Sequence, residues 1–318
     1  MLTPFGVRRV GIRHFLLAGF VADIILFLAM KIFDSIGAWF LLRMLLGLVG
    51  SALFTASEAW INLLAGDANR GRIIGIYAAA LSAGFGLGPL LLSVTGITGW
   101  APFLANTIIV AIAMLPLLGA ADIANDLGRD GGANPLVLFF RAKLIVAVVA
   151  MFGFFETALL ALLPIWGVRS GLTVPEASAL VSAVYVGAVA LQVPIGIVSD
   201  KTRRIVALRI CGMVGVAGAA ILVAARPPLT ALYPILFVWG GIVSGIYPIA
   251  LGMAGDRFTG STMVAANAAI IMSYGLGTLV GPALGGFAMD LWNPQGLLGM
   301  FVALFGILLV MSLTVSRN

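Results

Sequence analysis

Long apolar stretches separated by short polar connectors form the dominant pattern of this chain. A helix needs about 20 largely apolar residues to cross the roughly 30 Å hydrocarbon core of a bilayer, because every backbone polar group must find its partner within the segment. The connector 122–143 is longer and more polar than the others, and its Asn134-Pro135 predicts a short surface helix. The pattern predicts an all-α, polytopic membrane protein with ten spans, at residues 14–33, 37–63, 73–94, 100–120, 144–166, 178–199, 205–225, 229–253, 261–289 and 295–315.

Composition excludes the soluble classes of protein. Of the 318 residues, 62% are hydrophobic and 9% are charged, whereas a soluble domain has about 45–50% apolar and about 25% charged residues. Cys211 and His14 are single residues of their types, so the sequence offers neither a disulfide framework nor a cluster of metal ligands. We therefore expect no cofactor and no bound metal.

The basic residues predict the orientation of the chain in the membrane. With alternate spans running in opposite directions, all but four of the 18 lysines and arginines fall on the side of the N-terminus. The four exceptions are Lys31, Arg169 and Arg226 on the other side and Arg43 within a span. Because basic residues accumulate on the cytoplasmic side, both termini are predicted to be cytoplasmic. The net charge of +6 thus reflects topology, and we expect no nucleic-acid partner.

A fixed offset of 193 residues relates the two parts of the chain. It aligns Gly84 with Gly277, and the Gly88-Pro89 pair with Gly281-Pro282. This repeat predicts an N-terminal bundle of four spans at residues 1–121, a cytoplasmic linker at 122–143, and a C-terminal bundle of six spans at 144–318. The first half has no counterpart for two spans of the second. We expect either that the natural start codon lies upstream or that this form is an inactive membrane protein.

Several motifs resemble those of the major facilitator superfamily (MFS) of transporters. Gly196-Ile-Val-Ser-Asp200-Lys201-Thr-Arg203-Arg204 is similar to the loop motif between the second and third helices of each half in that family. Arg43 with Gly47, and Gly75 with Gly84 and Gly88-Pro89, are similar to motifs in its fourth and fifth helices. The resemblance implies a two-bundle fold that lacks the first two helices, here with 4 + 6 spans. It also implies a bacterial inner-membrane transporter, expected to be monomeric, that works by alternating access.

Ionisable residues within the spans are the first candidates for substrate and proton binding. A charge near mid-membrane costs at least about 2.5–3.5 kcal/mol and is rarely kept without a partner or a function. Glu156, Arg43 and Asp23 are such residues, and the resemblance implies that the helices of Glu156 and Arg43 line a central cavity. Asp23 and Arg43 have a second interpretation, as a pair whose charges neutralise each other. The polar residues that add hydrogen bonds to a substrate, or that bond a neighbouring helix, are Gln192, Tyr247, Asn267 and Tyr274.

Aromatic residues add two further expectations. Phe152, Phe154 and Phe155 flank Glu156 and form a wall suited to a hydrophobic cation. Tryptophans near the ends of spans are typical anchors at the membrane interface. They are Trp100, Trp166 and Trp292.

Charged residues at the predicted cytoplasmic ends of the spans, and glycines within the spans, are candidates for gating and for helix packing. A charge cluster at this position indicates topology, and the resemblance implies in addition a latch that stabilises one access state. The latch candidates are Glu58, Arg9, Arg13 and Arg72 in the first half, and Asp200 and Arg204 in the second. The glycines predict close helix crossings, and the resemblance implies a pivot and an ion seal. The packing set is Gly75, Gly84, Gly88, Pro89, Gly277, Gly281 and Pro282. The resemblance also implies that one of the missing helices packs on the face of Gly281 and Gly285, so we expect that face to be open to lipid.

These observations predict a secondary transporter that exports a small hydrophobic or cationic compound in exchange for protons. Desolvation favours the protonated form of a carboxylate and a nearby cation favours the ionised form, so an arriving cation can displace the proton. The alternatives are a symporter or uniporter of a small metabolite, which the same scaffold supports. We do not expect an enzyme, because the sequence has no G-x-S-x-G or H-E-x-x-H motif. The expected partners are a small molecule, protons and the lipid bilayer.

Overall fold

The described part of the chain is built from α-helices. A computed structural model describes residues 3–33, 35–66, 68–95, 99–119, 134–225 and 227–315. Its helices are α1 (Thr3–Val10), α2 (Ile12–Ile32), α3 (Ile36–Leu64), α4 (Arg70–Thr95), α5 (Ala101–Gly119), α6 (Pro135–Arg141), α7 (Lys143–Arg169), α8 (Val174–Lys201), α9 (Arg204–Ala225), α10 (Leu229–Val243), α11 (Ile246–Arg257), α12 (Gly260–Leu291) and α13 (Gly296–Val315).

The helices fall where the hydropathy pattern predicts them. Within the described residues, nine segments are long and apolar enough to cross a membrane: α2, α3, α5, α7, α8, α9, the α10–α11 pair, α12 and α13. The remaining predicted span, 73–94, lies within α4, which has 26 residues. The short helix predicted at Pro135 is confirmed as α6. The all-α, polytopic fold class is therefore confirmed.

Two local features differ from the predicted pattern. The helix α1 was not predicted. It ends at Gly11, whose φ of 82° separates it from α2 and is strained for residues with a side chain. The predicted span 229–253 is interrupted between α10 and α11, at Ser244-Gly245. Pro248 explains the interruption, because proline has no N–H to donate to the carbonyl of Ser244 and its ring crowds that carbonyl.

Two compact units can be distinguished by the proximity of their Cα atoms. The first comprises the described residues of 1–64, 87–138 and 258–271. In this unit α2 packs against α3 and α5, and the rings of Phe27 and Phe103 lie 5.6 Å apart. The division by chain order into residues 1–121 and 144–318 stays a prediction, and most of the predicted linker lies outside the described residues.

The second unit comprises the described residues of 65–86, 139–257 and 272–318. In it α8 packs against α7 and α10, and α9 packs against α13. Phe155 of α7 is the centre of its aromatic core, with ring centroids 4.9 Å from Phe301, 5.1 Å from Phe305 and 5.6 Å from Trp239. The Trp239 indole N–H donates to the carbonyl of Gly215 at 3.1 Å, so the polar atom of this buried ring is satisfied.

Candidate functional site

A carboxylate and a phenol meet between α7 and α12 in the second unit. The Tyr274 hydroxyl donates a hydrogen bond to Glu156 Oε2 at 2.6 Å. Glu156 lies near the middle of the 27-residue helix α7 and is partly buried. A hydroxyl can donate to a carboxyl group in either protonation state, and the bond is stronger when the carboxyl group is ionised because it is then charge-assisted. The structure thus brings together two residues that the sequence nominated separately.

Glycines bring the backbones of α7 and α12 close enough for this contact. A Cβ atom added to Gly153 of α7 would lie 2.6 Å from the carbonyl oxygen of Tyr274. A Cβ on Gly277 would collide with the carbonyl of Ala150, and one on Gly281 with that of Phe154. Small residues allow such close approach of helices in lipid. The glycine face of α12 therefore packs directly on α7.

The expectation that a face at Gly281 and Gly285 is open to lipid is wrong. Both glycines are buried. The nearest atom to a Cβ added at Gly285 is Cδ1 of Leu162, at 2.6 Å. Leu162 belongs to α7, and Leu297 and Met300 of α13 lie 3.4 Å from the same Cβ position, so α7 and α13 cover this face together.

Aromatic rings extend from Tyr274, whose hydroxyl bonds the Glu156 carboxylate. Tyr247 of α11 contacts the ring of Tyr274 edge-on, with centroids 6.0 Å apart, and contacts Phe152 at 5.6 Å. Tyr185 of α8 interacts electrostatically with Glu156. An acidic group next to aromatic faces attracts an organic cation, because the ring faces are electron-rich. We call Glu156, Tyr274, Tyr247, Tyr185 and Phe152 the carboxylate cluster.

The predicted aromatic wall is only partly correct. Phe152 belongs to the carboxylate cluster through its contact with Tyr247. Phe155 is 2% exposed and belongs instead to the aromatic core of the second unit. Phe152 and Phe155 are three positions apart and their ring centroids lie 6.4 Å apart, so the carboxylate cluster and the aromatic core join through these two rings.

A buried amide lies further along α8, on the side that faces α4. Gln192 is 4% exposed and its Nε2 donates to the hydroxyl of Ser82 at 3.0 Å. Its Oε1 atom is buried and has no hydrogen-bond partner. An added Cβ on Gly75 would lie 2.7 Å from the carbonyl oxygen of Gln192, so α4 and α8 also cross backbone to backbone. Nothing lies within 4 Å of a Cβ at Gly84, and the packing of Gly88 and Pro89 lies outside the described residues.

The start of α4 is held by an aspartate at the end of α8. The backbone N–H of Gly71 donates to Asp200 Oδ1 at 2.6 Å, and that of Arg72 donates to Oδ2 at 2.8 Å. The first N–H groups of a helix have no partner within the helix and carry a partial positive charge. Asp200 therefore acts as an external cap for α4, and Arg204 balances its charge from 3.5 Å.

A second aspartate extends this arrangement into a network. Arg70 Nη1 lies 2.7 Å from Asp256 Oδ1, and Arg204 Nε donates to Asp256 Oδ2. Arg70 and Arg204 have side chains that are 9% exposed, whereas Asp256 is 46% exposed. We call Arg70, Asp200, Arg204, Asp256 and the first turn of α4 the capping network. It lies where α8 and α11 end and where α4 and α9 begin.

The remaining nominated charged residues and Asn267 lie in the first unit. Glu58 and Asn267 are fully buried, Asp23 is partly buried, and Arg43 and Arg9 are exposed. Both amide atoms of Asn267 are buried without a hydrogen-bond partner.

Neither side chain of the suggested Asp23 and Arg43 pair contacts the other. Among the salt bridges of the described residues, none joins these two. Arg13 donates to the carbonyl of Leu118 at 2.7 Å. The roles predicted for the residues of the first unit stay predictions.

Sequence reasoning missed several residues of both clusters. Tyr185 lies seven positions before Gln192, so the two share one face of α8, and that spacing was an available signal. Asp256 also had a signal, since the pair Gly255-Asp256 repeats Gly66-Asp67 after α3. The N–H groups of Gly71 and Arg72 had no signal in the sequence, because every residue except proline has a backbone N–H.

Comparisons with known proteins agree on one family. A family model described as the Major Facilitator Superfamily matches residues 2–177 and 145–317. The uncharacterized MFS-type transporter YfkF of Bacillus subtilis is 24% identical over 306 residues, which cover 93% of this chain and 78% of the relative. The uncharacterized MFS-type transporter YcaD of Escherichia fergusonii is 26% identical over 329 residues, which cover 100% of this chain and 83% of the relative.

Solved structures show the same fold at low sequence identity. The human organic anion transporter MFSD10 has a TM-score of 0.83 and 14% identity, with 98% of this chain and 79% of that chain covered. The Escherichia coli fucose:proton symporter FucP has a TM-score of 0.81 and 13% identity, with 98% and 85% covered.

Proposed function

Because this chain belongs to the Major Facilitator Superfamily, whose members are membrane transporters and in general not enzymes, we propose that it is a proton-coupled exporter. Its substrate is a small hydrophobic or cationic compound, moved by alternating access. The two bundles at residues 1–121 and 144–318 rock about a cavity between them and are joined by the linker at 122–143. The protein acts as a monomer in a bacterial inner membrane, with both termini in the cytoplasm.

The hydrogen bond from Tyr274 to Glu156 is the observation that carries this proposal. Glu156 holds a proton when the site is empty and ionises when an organic cation arrives beside it. The Tyr274 hydroxyl stabilises the ionised form, since a hydrogen bond to a carboxylate favours its charged state. The rings of Tyr247 and Phe152 hold the apolar part of the cation. Proton and substrate thus compete for one carboxylate, which is sufficient for exchange.

The remaining nominated residues have supporting roles in the proposal. The amide of Gln192 offers an unused buried acceptor to the substrate. Arg43 and Asp23 contribute polar groups from the first bundle, and Asn267 contributes its amide from the second. The glycine crossings, with Gly88, Pro89 and Pro282, serve as pivots between helices that slide during transport.

The capping network acts as a latch in this mechanism. Asp200 can hold α4 only while the start of α4 lies against the end of α8, so the bonds to Gly71 and Arg72 stabilise that arrangement alone. An access state that separates these helix ends must break both bonds and the Arg70–Asp256 ion pair. Glu58 with Arg9, Arg13 and Arg72 forms the corresponding latch of the first half.

Proton release on binding of tetraphenylphosphonium, a hydrophobic cation, tests the central step. Purified protein in weakly buffered neutral detergent is mixed with the cation across a range of pH, and released protons are measured with a pH indicator. Wild type releases protons, Glu156→Gln releases none, and Tyr274→Phe releases protons with an altered pH profile. Asp290→Asn, an acid-to-amide change at a side chain that is 71% exposed, is the matched control and behaves as wild type.

Transport in proteoliposomes then decides the direction. Export coupled to an imposed proton gradient supports the exporter. Substrate uptake with protons in the same direction would identify a symporter, and pH-coupled transport by Glu156→Gln would remove Glu156 from the mechanism.

A further inference from the structure

A cavity lies at the end of the second unit that is opposite the capping network. Its volume is about 270 Å³, and it opens partly to the surface. Three connectors meet there: the turn from α7 to α8, the residues before α10, and the residues before α13. The described lining residues are Trp166, Arg169, Ser170, Leu172, Pro227, Leu229, Leu232, Pro294 and Gln295.

The local structure of the connectors shapes this cavity. Gly171, with a φ of 97°, reverses the chain after α7, and the N–H of Leu172 donates back to the carbonyl of Gly167. This turn places Leu172 beside Arg169 at the cavity wall. Gln295 precedes the first turn of α13, where its carbonyl accepts from the N–H of Gly299. The walls are therefore fixed by backbone hydrogen bonds.

Two buried polar atoms on the lining residues have no partner. Trp166 is 5% exposed and Gln295 is 4% exposed. The indole Nε1 of Trp166 and the Oε1 of Gln295 are both buried without a hydrogen bond. Trp166 is therefore not the interface anchor that its position predicts. An unsatisfied buried donor or acceptor costs about 1–3 kcal/mol, so both atoms are available to a water molecule or a ligand in the cavity.

Arg169 adds a positive charge to the same cavity. Its Nη1 lies 3.2 Å from Asp290 Oδ1, and its side chain is 38% exposed. A guanidinium has five N–H donors in a planar fork, so donors remain for a second acceptor. The described lining residues include no carboxylate. An anionic group can therefore enter without meeting a like charge on the wall.

We propose that this cavity binds a small carboxylate with an apolar body and one hydrogen-bond donor. The carboxylate accepts from Arg169 and from the Trp166 indole N–H, which both suit an anion. The donor of the ligand reaches Gln295 Oε1. The leucine and proline side chains contact the apolar body, as in ligand pockets generally. The cavity shares α7 with Glu156 but none of the residues of the carboxylate cluster, so this site is separate from the proposed export site.

Binding of 4-hydroxybenzoate to the purified full chain in neutral detergent tests the proposal. This acid carries a carboxylate, an apolar ring and a hydroxyl donor, and equilibrium dialysis of the radiolabelled compound measures its affinity. We expect saturable binding that is at least about tenfold weaker in Arg169→Gln and about threefold weaker in Trp166→Phe, from the usual strength of charged and neutral hydrogen bonds. The neutral analogue 4-hydroxybenzamide competes poorly, and so does benzoate, which lacks the donor.

Two control variants locate the binding. Lys201→Gln removes a positive charge at the opposite end of α8, and Glu156→Gln alters the carboxylate cluster; both are expected to bind as wild type does. Trp166→Phe changes a buried side chain and can impair folding. Arg169→Gln changes a partly exposed side chain, so it tests the proposal independently of that risk. Absence of saturable binding by wild type, as for a cavity that holds only water, would overturn the proposal. Equal affinity of wild type and Arg169→Gln would overturn it too, and neither result bears on the proton release assigned to Glu156.

Discussion

The crossing of α4 and α8 leads to a quantitative prediction about Gly75. An added Cβ there would lie 2.7 Å from the carbonyl oxygen of Gln192 and 3.2 Å from the Cα of Val193. Both are backbone atoms and cannot move alone. Because an ordinary contact of a methyl carbon is about 3.5 Å, Gly75→Ala must separate the two helices by roughly 0.5–1 Å.

That displacement acts directly on the capping network one turn away. The bonds from Gly71 and Arg72 to Asp200, now 2.6 and 2.8 Å long, would stretch to the limit of hydrogen bonding. Overpacking costs typically about 1–3 kcal/mol, and a hydrogen bond to a charged group contributes about 1.5–3 kcal/mol. We expect the arrangement with α4 held against α8 to lose about 1–3 kcal/mol, a factor of roughly 5 to 150.

Gly84→Ala is the matched control, because it makes the same change on the same helix at a site with nothing within 4 Å. Alanine favours helix over glycine by up to about 1 kcal/mol in both variants, so this contribution cancels in the comparison. The assay is hydrogen–deuterium exchange of the peptide that contains the Gly71 and Arg72 amides, together with the melting temperature in detergent. Faster exchange and a lower melting temperature are expected for Gly75→Ala. Equal values for the two variants would refute the inferred backbone contact.

Two further predictions concern the second unit. Gly277→Ala would place a Cβ against the carbonyl of Ala150 and should lower the melting temperature. Gly275→Ala has open space around it and should leave the melting temperature unchanged. Equal melting temperatures for the two variants would contradict the packing of α7 on α12. Phe155→Ala should destabilise the protein by about 3–5 kcal/mol in thermal unfolding, because it removes the side chain at the centre of the aromatic core. Val186→Ala, at a side chain that is 58% exposed, is the control and should have little effect. A stable Phe155→Ala protein would show that this core is not the main support of the unit.

The capping network and the carboxylate cluster both depend on α8, in different ways. Tyr185 lies near Glu156, Gln192 bonds Ser82 of α4, and Asp200 caps the start of α4. These three residues follow one another along the helix. If export proceeds as proposed, any movement of α8 would alter both the surroundings of Glu156 and the hydrogen bond from Gly71 to Asp200. The Gly75→Ala variant therefore also tests whether weakening the contact between α4 and α8 changes transport.

Hydropathy was sufficient to locate the helices because the constraint is local. Each span must satisfy its own backbone hydrogen bonds and match the thickness of the bilayer, and both requirements are visible in a window of about 20 residues. The break before Pro248 could not be predicted from proline alone, because Pro164, Pro194 and Pro282 lie inside helices that continue. The amphipathic helix α1 was not predicted, because a search for spans of about 20 residues does not detect a helix of eight.

The partners of individual side chains could not be predicted in this way. Glu156 and Tyr274 are 118 positions apart and Asp200 and Gly71 are 129 apart, and no local pattern links such residues. Glycine spacing indicated close crossings without saying which helix is crossed. Trp166 had the position of an interface anchor, but its side chain is 5% exposed at the wall of the cavity.

The sequence by itself therefore determined a polytopic helical membrane protein, the positions of its spans and the residue types that lipid tolerates only with a partner or a function. The tertiary structure decided which of those residues meet: Tyr274 with Glu156, the start of α4 with Asp200, and an unsatisfied indole and amide around one cavity. The physical reason is that helix formation in a membrane is governed by backbone hydrogen bonding within each segment. Pairing between side chains depends instead on how helices distant in sequence rotate and approach, and that is set by close packing at a few glycines.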